Sequence, residues 1–240
     1  MSGAAITTKA MILAAGRGER MRPLTDVTPK PMLEVLGKPL MQWPMDALKA
    51  GGFSDLVVNT AWLGDQISDH FGPSITYSHE GRDFGGALET VGGIVRALPM
   101  LGDVFWVAAG DVYAPDFRFT QEAVSRFKAG GMLAHLWLVP NPAHKPRGDF
   151  GLDAQGRALN QADETYTFST IALYRAAMFM PPWCAIPAGN PLGAKAALAP
   201  LLRLAMVAGR VSAELYTGAW ADVGTPERLA QLNAIEKRPA

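Results

Sequence analysis

The chain has 240 residues, enough for one large α/β unit with a substantial buried core, and its 22 Lys plus Arg balance 22 Asp plus Glu. With no net charge there is no overall field toward nucleic acid or an anionic membrane, so anion binding has to be local. A single cysteine, Cys184, excludes an internal disulfide and a thiolate zinc cluster and suits a reducing compartment.

The amino end, Met1 to Thr8, reads as a loose tail without the secretory pattern, and no apolar run approaches a membrane span. A cytoplasmic, soluble protein is expected. Lys9 to Ala15 reads as a short buried strand, and the loop after it carries Gly16 and Gly18, where a Cβ would obstruct a tight bend. Arg17, Arg20, Arg22 and Lys30 follow closely, a density of cations that fits either a polyphosphate partner or a solvated surface loop. Two phosphate loops are excluded. Met21 stands where a dinucleotide fingerprint needs its third glycine, and Gly37-Lys38 runs into Pro39 rather than the Walker A hydroxyl.

Further along, Gln42 to Ala50, Gly64 to Phe71, Glu89 to Leu98 and Gln121 to Lys128 read as helices, with Pro44 forcing a late start or a kink in the first. Between them Asp55 to Thr60, Ile75 to Ser78, Val104 to Ala109 and Met132 to Val139 read as strands. This alternation predicts an α/β fold, a mostly parallel twisted sheet flanked by helices on both faces, with ligands at the carboxyl ends of the strands. Pro140 to Gly156 predicts a loop and short hairpin, a candidate lid; Thr165 to Tyr174 is a strand, and Pro181 to Leu192 an irregular connection. A helix is expected from Ala197 to Ala208. Another starts near Pro226, capped by Thr225. One unit is expected over 1–240, with a core at 9–139, an acceptor part at 140–225 and a carboxyl-terminal helix at 226–240. The six tryptophans read as core and pocket filler.

The stretch LAAGRGERMRPLTDVTPKPML, Leu13 to Leu33, resembles the signature of the sugar-1-phosphate nucleotidyltransferases. The likeness continues through VAAGDV at Val107 to Val112, NPAHKPRGDF at Asn141 to Phe150, TFSTI at Thr167 to Ile171 and WADVGTPERL at Trp220 to Leu229. These later motifs are most similar to the bacterial N-acetylmuramate 1-phosphate uridylyltransferases of cell-wall recycling, compact members of that family. The resemblance implies transfer of UMP from UTP to a sugar 1-phosphate with Mg2+ as cofactor, and no nucleic-acid or membrane partner. A monomer is expected, because the short carboxyl end leaves little material for a regulatory domain.

The resemblance also implies roles. Arg20 would meet the developing pyrophosphate and Lys30 the α-phosphate and incoming sugar phosphate. Asp111 and Asp222 would hold the metal, although each could by itself be a turn aspartate. Ala14, Ala15, Gly16 and Gly18 would line the nucleotide, with Glu80, Leu88 and Gly92 on the base and ribose side and Glu89 beside them. Asn141, Gly148, Asp149 and Ser169 would face the sugar, or serve only as turn residues. Three departures bear on specificity: Val91 and Thr170 stand where relatives often have glycine, and Arg82 to Gly86 is longer than the usual connection. His70, His79, His135 and His144 show no metal-ligand spacing and read as structural. Two other functions stay open: a transferase using dTTP or GTP with another sugar 1-phosphate, and a nucleotide sensor that has lost catalysis. The absent dinucleotide pattern makes an oxidoreductase poorer still.

Overall fold

A computed structural model describes residues 8–235, so all of the expected amino-terminal tail except Thr8 lies outside the described residues. In the first half the elements are β1 (Ala10–Leu13), α1 (Leu24–Val27), β2 (Glu34–Val35), β3 (Lys38–Pro39), α2 (Gln42–Ala50), β4 (Leu56–Thr60), α3 (Gly64–Phe71), β5 (Thr76–His79), α4 (Glu80–Phe84) and α5 (Glu89–Ala97). The second half adds β6 (Val104–Ala109), β7 (Val112–Tyr113), α6 (Gln121–Ala129), β8 (Ala134–Val139), β9 (Gly151–Leu152), β10 (Ala158–Leu159), β11 (Thr167–Arg175), α7 (Leu198–Val207), β12 (Val211–Leu215), β13 (Ala221–Asp222) and α8 (Pro226–Ile235).

Seven strands form the central sheet in the order β12-β8-β11-β6-β1-β4-β5. The pairs β5-β4, β4-β1, β1-β6 and β8-β12 are parallel, while β11 runs antiparallel to both its neighbours. The central strands β1 (AMIL) and β6 (VFWVAA) are apolar along their whole length because both faces are covered, whereas the edge strands β5 (TYSH) and β12 (VSAEL) carry polar residues. Successive side chains still divide between the faces. Met11, Phe105 and Val107 pack with Ile94 and Val95 of α5 and Leu202 and Ala205 of α7. Ile12, Trp106 and Ala108 pack on the other face with Met45 and Leu48 of α2, Ile67 of α3 and Val124 and Phe127 of α6. Trp106 and Trp137 lie in that second layer with ring centroids 4.9 Å apart, as core filler should.

A smaller cluster decides where the chain's end goes. Met21, Leu33, Val35, Leu40 and Val223 are buried together, with Leu229 and Leu232 of α8 packed against them. Asn233 reinforces this, accepting from the Leu36 N–H at 2.6 Å and donating to the Glu34 carbonyl at 3.1 Å. The carboxyl-terminal helix is thereby docked on the segment that follows the glycine loop.

Most expected elements match to within a residue or two. Pro44 is the third residue of α2, in the first turn where its missing N–H has no intrahelical acceptor to lose, so neither a late start nor a kink results. Thr225 caps α8, its hydroxyl accepting from the Arg228 N–H at 3.4 Å. The short α4, the β2-β3 and β7-β13 pairs and the edge strand β12 are additions that the sequence pattern does not announce.

Candidate active site

At the carboxyl ends of β1, β4 and β6 lies a cavity of about 280 Å³, lined by Leu13 to Gly16, Asn59, Glu80, Ala87, Glu89 and Thr90, and by Lys30, Pro31, Ala109, Asp111 and Thr170. The two loop glycines have different uses. Gly16 borders the cavity, and a Cβ there would meet nothing within 4 Å. Gly18 has φ +68°, and its Cβ would press on Lys30 Cβ at 3.0 Å and Thr25 Cγ2 at 3.1 Å, so it seats the lysine rather than lining the cavity. Of the loop cations, Arg17 is spent on the Thr25 carbonyl, Asp26 and the face of Trp62, and Arg22 on Asp26. Their charge, with the hydrogen bond from Arg17 leading, holds the Asp26 carboxyl below its ordinary range. Arg20 is exposed in the turn Glu19–Met21 and has no partner among the described residues.

Lys30 is largely buried, and its Nζ lies 2.5 Å from Asp111 Oδ2. Asp111 follows β6. The antiparallel β7-β13 pair sets Asp222 opposite Val112, and the Val223 N–H donates to the Asp111 carbonyl at 3.1 Å, so the two aspartates occupy adjoining backbone. Asp222 Oδ1 accepts from Arg228 Nη1 at 2.6 Å and lies 2.9 Å from His144 Nε2. Each carboxylate therefore keeps one oxygen, Asp111 Oδ1 and Asp222 Oδ2, without a partner among the described residues. No group of three His, Cys, Asp or Glu able to hold a metal exists among those residues. Two oxygen donors completed by substrate phosphates and water is the set that suits a hard divalent cation, and these residues fit one.

The opposite wall is organised from inside. Glu80 is fully buried; its Oε1 accepts from Asn59 Nδ2 and its Oε2 from the Leu88 N–H, both at 2.7 Å. Burial pushes the Glu80 carboxyl up, against those two bonds and the charge of Arg96, which pull it down. Leu88 is buried and Gly92 is packed under the Ala194 carbonyl, so neither borders the cavity. Glu89 and Thr170 do border it, and both hold left-handed backbone, φ +58° and +64°, which side chains of their kind adopt only under constraint.

Of the residues expected to face the sugar, none borders this cavity. Asn141 donates to the Thr165 and Pro146 carbonyls and accepts from the Thr167 hydroxyl; Gly148 lies against the Tyr166 backbone. Asp149 pairs with Lys145 and accepts from the Phe168 N–H, and the Ser169 hydroxyl accepts from the Ile171 N–H at a bulge in β11. Asn141, Gly148 and Asp149 shape the loop whose His144 reaches Asp222, while Ser169 shapes the bulge in β11. Asn59, Ala87, Arg228 and His144 join the site without having been expected there. A polar residue closing the apolar run LVVNT was the one visible sign of Asn59, and the histidine read as structural reaches a candidate metal carboxylate.

The chain belongs to the nucleotidyl transferase family, whose profile matches residues 9–238, and it is therefore a nucleotidyltransferase. It is 47% identical, over 95% of its length and 97% of the relative's, to the N-acetylmuramate alpha-1-phosphate uridylyltransferase of Neisseria meningitidis serogroup B. A 102-residue stretch, 39% of the chain and 41% of the relative, is 42% identical to the enzyme of the same name from Caulobacter vibrioides. The fold matches HddC from Yersinia pseudotuberculosis, crystallised with GMP-PN, with a TM-score of 0.70 at 17% identity over 96% of this chain and 100% of that one. A Bacillus anthracis structure described as a glucose-1-phosphate thymidylyltransferase gives 0.76 at 22% identity, covering 98% and 97%.

Proposed function

We propose that this nucleotidyltransferase moves UMP from UTP to N-acetylmuramate 1-phosphate, giving the UDP-sugar and pyrophosphate, with Mg2+ as its cation. One observation carries the reaction class: Lys30, delivered by the glycine loop, meets the Asp111 carboxylate inside the cavity at the strand ends. The acceptor follows the activity named for the Neisseria relative.

The reaction brings one phosphate anion against the α-phosphorus of another, and its obstacle is charge. Asp111 and Asp222 would hold Mg2+, which when bound neutralises phosphate oxygens. Lys30 supplies a buried cation where the sugar phosphate oxygen approaches the α-phosphorus, and exposed Arg20 meets the charge that develops on departing pyrophosphate. Ala14, Ala15 and Gly16 form the phosphate-side wall with Gly18 seating Lys30 behind it, and Glu80, Leu88 and Gly92 support the base-side wall from within. Asn141, Gly148, Asp149 and Ser169 belong to the acceptor part at 140–225 and position the sugar by holding the backbone there and Thr170 in place. We place all of this in one unit.

Pyrophosphate release over a grid of UTP, CTP, dTTP and GTP against N-acetylmuramate, glucose and mannose 1-phosphates tests the reading. UTP with the muramate phosphate is expected to be fastest and to stop on chelation of the cation. A faster alternative pair overturns the substrate assignment. Nucleotide binding with no turnover for any pair supports the sensor instead.

A further inference from the structure

His144 does not line the cavity, yet from the loop that leaves β8 its imidazole reaches the carboxylate at the end of β13. Its Nε2 lies 2.9 Å from Asp222 Oδ1 and 2.7 Å from Arg228 Nη1, and that arginine nitrogen donates to Asp222 Oδ1 at 2.6 Å. An imidazole nitrogen carries either a proton, which Asp222 accepts, or a lone pair, which accepts from Arg228. In both tautomers the loop is tied to this corner of the site. Gly224 makes the corner possible, because a Cβ there would come 2.5 Å from Arg228 Nη2.

The rest of the loop is braced well enough to transmit that tie. The Lys145 N–H donates to the Pro142 carbonyl at 2.8 Å, which puts His144 inside a tight turn. Lys145 Nζ donates to both Asp149 oxygens, at 2.7 and 2.6 Å, and Asp149 Oδ2 also accepts from the Phe168 N–H at 2.8 Å. Asn141 donates to the Thr165 carbonyl and accepts from the Thr167 hydroxyl. The base of the loop is therefore fixed to β11 and its turn to β13. Asp222 Oδ2 has no partner among the described residues. A cation on Oδ2 stops the carboxylate from turning, and Oδ1 then stays aimed at His144.

We infer that His144 is a positioning residue for the acceptor: it latches the loop at 141–149 to the carboxylate of the cation site, so the sugar phosphate is held beside the cation, and nucleotide affinity does not depend on it. The loop tightens when the cation binds and, by linkage, helps the cation to bind. This rests on the reading given above, from which it takes the loop as acceptor side and Asp222 as a cation ligand.

Two variants of the full chain separate the latch from plain support. His144→Ala removes the contact, and His144→Gln returns an amide near the place of Nε2, able to donate to Asp222 or accept from Arg228. With 40% of the His144 side chain exposed, both variants are expected to fold. In turnover, His144→Ala is expected to raise KM for N-acetylmuramate 1-phosphate about tenfold, as loss of one hydrogen bond to a charged group does, with KM for UTP changed less than about twofold. His144→Gln is expected to bring the acceptor KM back to within about threefold of the parent. Amide hydrogen exchange over residues 141–149 reads the latch without turnover: saturating Mn2+ is expected to slow it about fivefold in the parent and to leave it unchanged in His144→Ala.

Equal rises in KM for both substrates, a glutamine variant no better than the alanine variant, or loop exchange that responds to Mn2+ in His144→Ala as in the parent overturn the inference. If N-acetylmuramate 1-phosphate is not turned over, the substrate reading falls and the exchange comparison decides the latch by itself. If Asp222→Asn binds Mn2+ as tightly as the parent, the cation reading falls and the acceptor comparison decides the positioning role by itself.

Discussion

Lys30 Nζ and Asp111 Oδ2 lie 2.5 Å apart, one carried by the loop after β1 and the other by the end of β6, strands that are neighbours in the sheet. A largely buried ammonium beside a carboxylate with one open oxygen places both signs of charge where a phosphate would enter. The pair turns two separated sequence motifs into one site.

Asp222 is held by Arg228 Nη1 through Oδ1, which leaves Oδ2 open. Arg228→Met removes the shorter of the two contacts that orient that carboxylate and leaves only His144 Nε2, 2.9 Å from Oδ1. The concentration of Mn2+ or Mg2+ giving half-maximal response is expected to rise about 10- to 100-fold, as losses of groups that orient ligands do. Cation titration followed by electron paramagnetic resonance of free Mn2+ checks this apart from turnover. An unchanged cation affinity means that Arg228 serves only to dock α8.

Thr170 holds φ +64° at the bulge in β11 and borders the cavity. Thr170→Gly removes both the left-handed strain on a branched residue, about 1–2 kcal/mol, and the side chain that narrows the space. The larger entropy of the unfolded glycine offsets part of that gain, so thermal stability should change little. The expected readout is specificity: kcat/KM for non-cognate sugar 1-phosphates rises relative to the cognate one while KM for UTP holds. A constant acceptor ratio places Thr170 outside the acceptor pocket.

Glu80 gives a pH signature in stability. Burial raises its folded pKa above the ordinary 4.5, so the native state binds the proton more tightly than the unfolded chain. Its contribution is fully present below that ordinary value and is lost as pH rises through the folded pKa. Denaturant unfolding from the ordinary glutamate range to neutrality is expected to show the stability of the parent falling relative to Glu80→Gln as pH rises. A difference independent of pH contradicts a raised Glu80.

The sheet and its helices were legible because apolar runs alternate with helical spacing, and the glycine loop because glycines and cations cluster after a strand. The direction of β11 was not. A strand covered on both faces carries the same apolar run whichever way it points, and only the excursion through β9 and β10 reverses it. The hydrogen bonds of Asn59 escaped for a related reason: one polar residue at a strand end gains meaning only once Ala14, Glu80 and Leu88 surround it. His144 reads as an ordinary loop histidine until α8 and β13 bring Asp222 to it.

The central claim is that Lys30 acts on the reacting phosphate beside Asp111. Steady-state turnover of Lys30→Met with UTP and N-acetylmuramate 1-phosphate, set against UTP affinity measured separately, tests it most directly. A fall in kcat of about 10²- to 10³-fold with UTP affinity changed far less is the expected result, as for a lost preorganised donor. A variant that turns over within twofold of the parent would contradict it.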